Sequence, residues 1–66
     1  MRATVNGEQL LLPEGLTVLS LLQHLKVGKD RVAVERNGAV VKKARHAEEQ
    51  LAEGDVLEIV TFVGGG

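Results

Sequence analysis

The chain has 66 residues, a formal net charge of −1, no cysteine and one aromatic side chain, Phe62. This length indicates a single domain, the lack of cysteine excludes disulfides and thiolate metal sites, and the balanced charge and scarce aromatics argue against nucleic-acid binding. No apolar run reaches the roughly 20 residues of a membrane span and the first residues lack a signal-peptide core, so we expect a cytoplasmic protein without a membrane partner.

The first twelve residues predict a β-hairpin. Asn6-Gly7 is the favoured pair for a two-residue type I′ turn, in which both residues need a positive φ. Such a turn sets Ala3 opposite Leu10 and gathers most hydrophobic side chains on one face of the hairpin. The turn and the hydrophobic pattern therefore favour the same register.

A short amphipathic helix is predicted after the Pro-Glu-Gly sequence that ends the hairpin. Thr17 is a suitable N-cap, because its hydroxyl can accept a hydrogen bond from an early helical amide. Gly28 is the predicted stop signal. The apolar residues recur at helical spacing and are Val18, Leu19, Leu21, Leu22 and Leu25. A helix this short is marginal alone, so it needs a sheet to pack on.

Residues 32–41 repeat the hairpin pattern. Asn37-Gly38 supplies the second two-residue turn, with valines on both sides of it. Residues 42–55 have weak periodicity and predict a connection with one helical turn, in which Leu51 contacts the core.

The segment VLEIVTFV, residues 56–63, is the strongest strand signal in the chain, because it is rich in β-branched residues. The order of elements is hairpin, helix, hairpin and final strand. This order is typical of an α+β domain with a mixed sheet of four to five strands and one main helix on one face. We expect the final strand in the middle of the sheet, which would account for its length and apolar character.

Few residues suggest catalysis or ligand binding. Ser20 and His24 are related only by a spacing of four, which is a weak signal for a nucleophile and its base. His24 and His46 lack metal-binding spacing, and we interpret both as surface histidines. We therefore predict no catalytic residue, no metal site and no bound cofactor.

Charged residues are concentrated in the second half of the chain. The acidic residues there are mainly Glu48, Glu49, Glu53, Asp55 and Glu58. A small basic cluster precedes them at Lys42, Lys43 and Arg45. Both groups are typical of a solvated surface, and the alternative for the acidic group is a face that meets a basic partner.

Three glycines, Gly64 to Gly66, end the sequence directly after the final strand. An extended residue spans about 3.3–3.6 Å, so the residues from Val63 onward would carry a terminal carboxylate about 14 Å from the domain. A carboxylate is ionised and unreactive at neutral pH until a partner activates it, for instance by adenylation. Glycine suits this role because a tail without Cβ atoms fits a narrow tunnel and leaves the carbonyl carbon unshielded.

The whole chain resembles the ThiS family, the sulfur carriers of thiamine biosynthesis. The resemblance rests on the length and on the segments VNGE, PEGLTVLSLLQHL, VAVERNGAVV and GDVLEIVTFVGGG, of which VERNG and EIVTFVGGG are the most specific. It implies the ubiquitin-like β-grasp fold, in agreement with the element order above. It also implies one domain at residues 1–66 whose flexible tail is residues 64–66.

The resemblance implies a protein co-substrate and not an enzyme. The Gly66 carboxylate would be adenylated with ATP by a ThiF-like enzyme, and a sulfur donor would convert it to a thiocarboxylate. The sulfur would then pass to a ThiG-like thiazole synthase. Gly64 and Gly65 would be recognised as part of the tail, while ATP and the sulfur donor would be bound by the partner enzyme.

The outward side of the final strand is a candidate docking surface. Glu58, Val60 and Phe62 alternate with residues that we assign to the core, so the only aromatic ring is expected beside the tail. Exposed aromatic residues often anchor an interface. The alternative is that Phe62 packs in the core at the edge of the sheet.

Other functions stay open at this point. The small subunit of molybdopterin synthase also ends in Gly-Gly and carries sulfur in the same way, and a carrier for another sulfur metabolite or a protein-conjugating ubiquitin relative would share the tail chemistry. A protein-binding module with an inert tail is a further alternative. The segment VERNG and the triple glycine favour the thiamine branch.

Overall fold

The computed structural model describes residues 1–28 and 31–62. Its elements, in chain order, are β1 (Arg2–Val5), β2 (Glu8–Leu11), helix α1 (Val18–His24), β3 (Val32–Arg36), β4 (Ala39–Val41), a short 3₁₀ helix (Lys43–Arg45) and β5 (Val56–Thr61). The strands form one five-stranded sheet in the order β2-β1-β5-β3-β4. β1 and β5 run parallel and the other neighbours run antiparallel, so the sheet is mixed, as predicted.

Both predicted hairpins are confirmed. The turn between β1 and β2 has φ values of 51° at Asn6 and 83° at Gly7, and the turn between β3 and β4 has 52° at Asn37 and 87° at Gly38. Asparagine and glycine adopt this left-handed conformation at the lowest cost. Each turn fixes the pairing of the strands on both sides of it.

The helix begins where its cap predicts and covers one face of the sheet. The Thr17 side chain accepts a hydrogen bond from the Ser20 N–H at 3.1 Å. Val18, Leu21 and Leu22 are fully buried, because the apolar stripe of α1 packs on the inner face of the sheet. The other core residues are Ala3, Val5, Leu12, Val32, Val34, Val41, Leu51, Leu57 and Ile59.

The helix ends earlier than predicted. Its last residue is His24, and Lys26, with a φ of 60°, takes the left-handed position that glycine usually fills after a helix. The Val27 N–H then donates to the Leu22 carbonyl at 2.8 Å, which closes the helix with a Schellman motif. The predicted stop at Gly28 therefore lies too late, because the packing of Val27 on the core ends the helix first.

Residues 42–55 contain the predicted helical turn and pack against the segment around the start of α1. Leu51 is buried, as predicted, and its N–H donates to the Leu16 carbonyl at 2.9 Å. The Leu19 N–H donates to the His46 carbonyl at 2.8 Å. These bonds tie the connection to both sides of the helix cap.

One of the two histidines is not on the surface. His24 is exposed, as predicted, but His46 is only 4% exposed. The ring nitrogen Nε2 of His46 lies 3.0 Å from the Val41 carbonyl oxygen, which can only accept, so this nitrogen donates. The prediction for His46 was wrong because the weak periodicity of its segment gave no sign of an inward position.

β5 lies in the middle of the sheet, as predicted. It pairs with β1 at Val56 and Leu57 on one side and with β3 from Leu57 to Thr61 on the other. Leu57 is fully buried and Ile59 is 9% exposed, because both point toward α1. The segment that precedes the glycines in sequence is therefore the central strand of the sheet.

Candidate functional site

The predicted docking residues lie on the outer face of the sheet, opposite α1. Val60 and Phe62 are 52% and 58% exposed, and Glu58 is exposed with them. They alternate with Leu57 and Ile59, which are buried on the inner face. Phe62 therefore does not pack in the core.

Phe62 is the last described residue before the tail. Its N–H donates to the Arg31 carbonyl at 2.8 Å, so backbone pairing continues one residue beyond β5. The predicted tail residues Gly64, Gly65 and Gly66 lie outside the described residues. The structure thus gives the base of the tail, which is a central strand that ends beside an exposed aromatic ring.

The neighbouring strands extend this surface. Val60 lies opposite Ala33, and Glu58 lies opposite Glu35 on β3. Glu35 in turn pairs with Val40 on the edge strand β4. The exposed large hydrophobic residues around the two carboxylates form what we call the outer apolar patch, which consists of Val40, Val56, Val60 and Phe62.

Two turn asparagines hold β5 through their side-chain amides. Asn6 accepts from the Ile59 N–H at 2.7 Å and donates to the Ile59 carbonyl at 3.1 Å. Asn37 accepts from the Val56 N–H at 2.9 Å. The backbone of β1 pairs with β5 only as far as Leu57. The Asn6 side chain therefore makes the two hydrogen bonds to Ile59 that a longer β1 would make. The Asn-Gly pattern predicts the turns but not this second role.

A polar network fixes the chain where it enters β5. The Arg36 guanidinium donates from Nε to Asp55 Oδ2 at 2.7 Å and from Nη1 to Glu49 Oε2 at 2.9 Å. Asp55 is 5% exposed, and it also accepts from Asn37 Nδ2 at 3.0 Å and from the Ala52 N–H at 2.7 Å. The sequence gives no sign of this network, because Arg36 is distant from Glu49 and Asp55 along the chain and all three charges are typical of a solvated surface.

The network shifts the pKa values of Asp55 and Arg36. Burial works to raise the pKa of the Asp55 carboxyl, but the hydrogen bonds from Arg36, Ala52 and Asn37 together hold it below its ordinary value. The hydrogen bond to Asp55, followed by the one to Glu49, raises the pKa of Arg36. Both shifts favour the charged forms of Asp55 and Arg36 in the folded protein.

The acidic residues of the second half do not form one exposed face. Asp55 is buried and Glu49 is bound to Arg36, so both charges are used inside the fold. Glu58 projects from the outer face of the sheet. The interpretation of a shared acidic face is therefore wrong for Asp55 and Glu49, and it is Glu58 that stays a docking candidate.

The Ser20 hydroxyl forms part of the helix cap and is not paired with His24 as a nucleophile would be with its base. Ser20 Oγ lies 3.0 Å from Thr17 Oγ1, so the two hydroxyls bond each other. Within residues 1–28 and 31–62, no three His, Asp or Glu side chains come together as metal ligands would. No helix in the same ranges is long and apolar enough to cross a membrane.

Comparison with known sequences identifies relatives of this domain. The family model described as the ThiS family matches residues 1–66. The chain is 44% identical over 50 residues to the sulfur carrier protein ThiS of Bacillus subtilis, and the alignment covers 76% of each chain. It is also 44% identical over all 66 residues to a thiazole synthase of Paramagnetospirillum magneticum, but spans only 20% of that protein's length.

A solved structure supports the same assignment. The thiamine biosynthesis protein ThiS of Geobacter metallireducens is 38% identical, matches with a TM-score of 0.85, and is covered completely, as is this chain. The mixed five-stranded sheet with one helix on its inner face is the β-grasp fold that the sequence resemblance implies. The chain belongs to the ThiS family.

Proposed function

We propose that the Gly66 carboxylate is the group that carries the sulfur. A ThiF-like enzyme joins this carboxylate to the AMP part of ATP and releases pyrophosphate. A sulfide equivalent from the sulfur donor then attacks the carbonyl carbon. The new C–S bond forms as the C–O bond to phosphate breaks, AMP leaves with the electron pair, and the chain retains a thiocarboxylate.

The single observation that carries this proposal is the membership of the ThiS family over residues 1–66. The fold supports it, because the segment before the glycines is the central strand β5. A partner that binds the outer face of this strand also fixes the point where the tail begins. Gly64 and Gly65 then let the tail enter a narrow site, since neither has a Cβ atom.

The next acceptor in this proposal is a ThiG-like thiazole synthase. A thiazole synthase of Paramagnetospirillum magneticum contains a segment, a fifth of its length, that is similar to this whole chain. Such a segment in a thiazole synthase supports a thiazole synthase as the sulfur acceptor. The protein acts as a co-substrate and not as an enzyme. ATP and the sulfur donor are bound by the partner, and no resident cofactor is needed.

Docking to the adenylating enzyme uses Phe62, Val60 and Glu58. Phe62 and Val60 expose hydrophobic surface that gains from burial against a partner, and their position beside the base of the tail makes them suitable anchors. Glu58 adds a charge to the same surface.

Intact mass spectrometry tests the tail chemistry. The protein is incubated with ATP, a sulfide donor and a ThiF-type adenylating enzyme. We expect a mass gain equal to the replacement of one oxygen by sulfur, and we expect this gain to disappear when a thiazole synthase and its other substrates are added.

Two tail variants control this experiment. Deletion of Gly66, or one alanine added after it, should abolish the mass gain while thermal unfolding stays unchanged, because neither change removes a side chain of the hydrophobic core. A different ThiS protein serves as the positive control for the adenylating enzyme. If the enzyme converts that protein to its thiocarboxylate but the wild-type protein gains no sulfur, the proposal is contradicted.

A further inference from the structure

The outer face of the sheet places two like charges side by side. Glu35 on β3 and Glu58 on β5 are direct cross-strand partners. In an antiparallel ladder, hydrogen-bonded pairs alternate with pairs that are not hydrogen-bonded. The Phe62 N–H donates to the Arg31 carbonyl, so the Glu35/Glu58 pair, four residues away on this regular alternation, is also hydrogen-bonded. The Cα atoms of such a pair are about 5.5 Å apart. Like charges directly opposite each other destabilise a sheet.

The described chain does not neutralise these carboxylates. Within residues 1–28 and 31–62, neither Glu35 nor Glu58 forms an ion pair. Arg36 follows Glu35 directly, but its guanidinium is bound to Asp55 and Glu49. The pair is thus exposed and carries two negative charges on adjacent strands.

Hydrophobic residues surround the pair. Val40 lies beside Glu35, and Val56 and Val60 lie on either side of Glu58 along β5. A partner that buries these valines also removes the carboxylates from water. Burial of two unpaired like charges is strongly unfavourable, so a partner that covers the patch must bring a cation.

We infer that Glu35 and Glu58 together receive an arginine side chain of the adenylating enzyme. The planar guanidinium has five N–H donors, so it can bond both carboxylates at once. Its aliphatic stem can pack on Val40 and Val60. The carboxylate pair thereby selects a partner with a cation at this position, at some cost to the stability of the free carrier.

The inference rests on the proposed function and names the chemistry of the partner's surface. The occupant is the adenylating enzyme because the outer apolar patch extends to Phe62, the last described residue before the tail. An enzyme that holds the tail for adenylation therefore lies over the same face. Glu35 was not among the predicted docking residues, since its alignment with Glu58 depends on the register of β3 and β5.

Steady-state adenylation kinetics and thermal unfolding test this inference together. The variants are Glu35→Gln, Glu58→Gln and the double variant, and Glu48→Gln is the control for loss of a negative charge elsewhere. In the double variant we expect the KM for the carrier to rise about tenfold or more, with kcat nearly unchanged. The same variant should unfold about 1–5 °C higher, because a repulsive cross-strand pair is removed.

Two further measurements separate this role from a general effect of charge. The KM of the wild-type carrier should rise with salt, and the double variant should lose most of this dependence. Glu58→Asp keeps the charge and should retain a KM near that of the wild type. If the KM of the double variant equals that of Glu48→Gln, the inference is wrong and Glu58 has no docking role, while the proposed sulfur chemistry at Gly66 stands. If the wild-type carrier is not adenylated at all, both fail.

Discussion

The two ends of β5 are held in different ways. At its start, Asp55 and Val56 are fixed by the side chains of Arg36 and Asn37. At its end, beyond Ile59, the described contacts of the backbone are with β3 alone. The start of the strand thus contributes mainly to stability, whereas its end, with Phe62 exposed, is available to a partner.

This small domain concentrates its buried polar interactions at the start of β5. A 66-residue chain has a free energy of unfolding of about 3–10 kcal/mol, so a single buried ionic network is a large part of it. The network lies at the end of β5 away from the tail. Substitutions at the tail end can therefore change partner binding with little change in stability.

Removal of the Asp55 carboxylate should have the largest effect on stability. Asp55→Ala leaves the Arg36 guanidinium and the Asn37 amide without their buried acceptor, which should lower the free energy of unfolding by about 3 kcal/mol. Urea unfolding measures this loss. Glu48→Ala, which removes an exposed pair with a 3.6 Å separation, should cost less than about 1 kcal/mol. Equal losses in the two variants would show that the network does not anchor β5.

Acid should weaken the same end of the strand. The pKa of Asp55 is lowered in the folded protein, so the unfolded chain binds the proton more readily. The stability that the Asp55 charge provides is therefore present above the unfolded value, near pH 3.9, and is lost as pH falls through the lower folded value. Urea unfolding of wild type and Asp55→Asn should show a stability difference that is constant near neutral pH and shrinks as pH falls below about 4. A difference that stays constant in acid would contradict this.

Replacement of either turn asparagine should reduce stability by less than the loss of Asp55. Glycine in place of Asn6 or Asn37 keeps the positive φ but removes the amide that holds β5. Asn37→Gly should cost about 1–2 kcal/mol, because buried Asp55 loses a donor. Asn6→Gly should cost about 1 kcal/mol or less, since water can replace its bonds to Ile59. The reverse order in urea unfolding would mean that β5 is held mainly from the β1 side.

Phe62→Ala should have the smallest effect on stability and a clear effect on activation. The ring is 58% exposed, so the free energy of unfolding should change by less than about 0.5 kcal/mol. The KM for adenylation should rise about fivefold or more, as expected for an aromatic anchor. Adenylation kinetics unchanged in a stably folded variant would exclude Phe62 from docking.

Local signals were sufficient to predict most of the fold. Asn6-Gly7 and Asn37-Gly38 determine their turns through backbone preference alone, and the registers follow. Thr17 caps the helix through a hydroxyl that bonds an amide three residues later. These features depend only on residues that are close to one another in sequence, so they can be predicted without knowledge of the fold.

Long-range contacts account for what was missed. Asp55 and Glu49 read as surface charges because their partner, Arg36, is far from them in sequence. His46 is buried by its bond to Val41 in a segment without clear periodicity. The alternation in β5 predicted the exposure of Phe62, but the pairing of Glu58 with Glu35 needed the sheet.

The central place of β5 also affects how the protein can be synthesised. Asn6 and Ile59 bond each other although they are 53 positions apart, and contacts between such distant residues form late. The hairpin at the start of the chain cannot complete its sheet until β5 has left the ribosome. A chain cut short before β5 would expose its core and be open to degradation. A folded domain therefore always includes the strand that precedes the glycines, so folding reports that this strand has been synthesised.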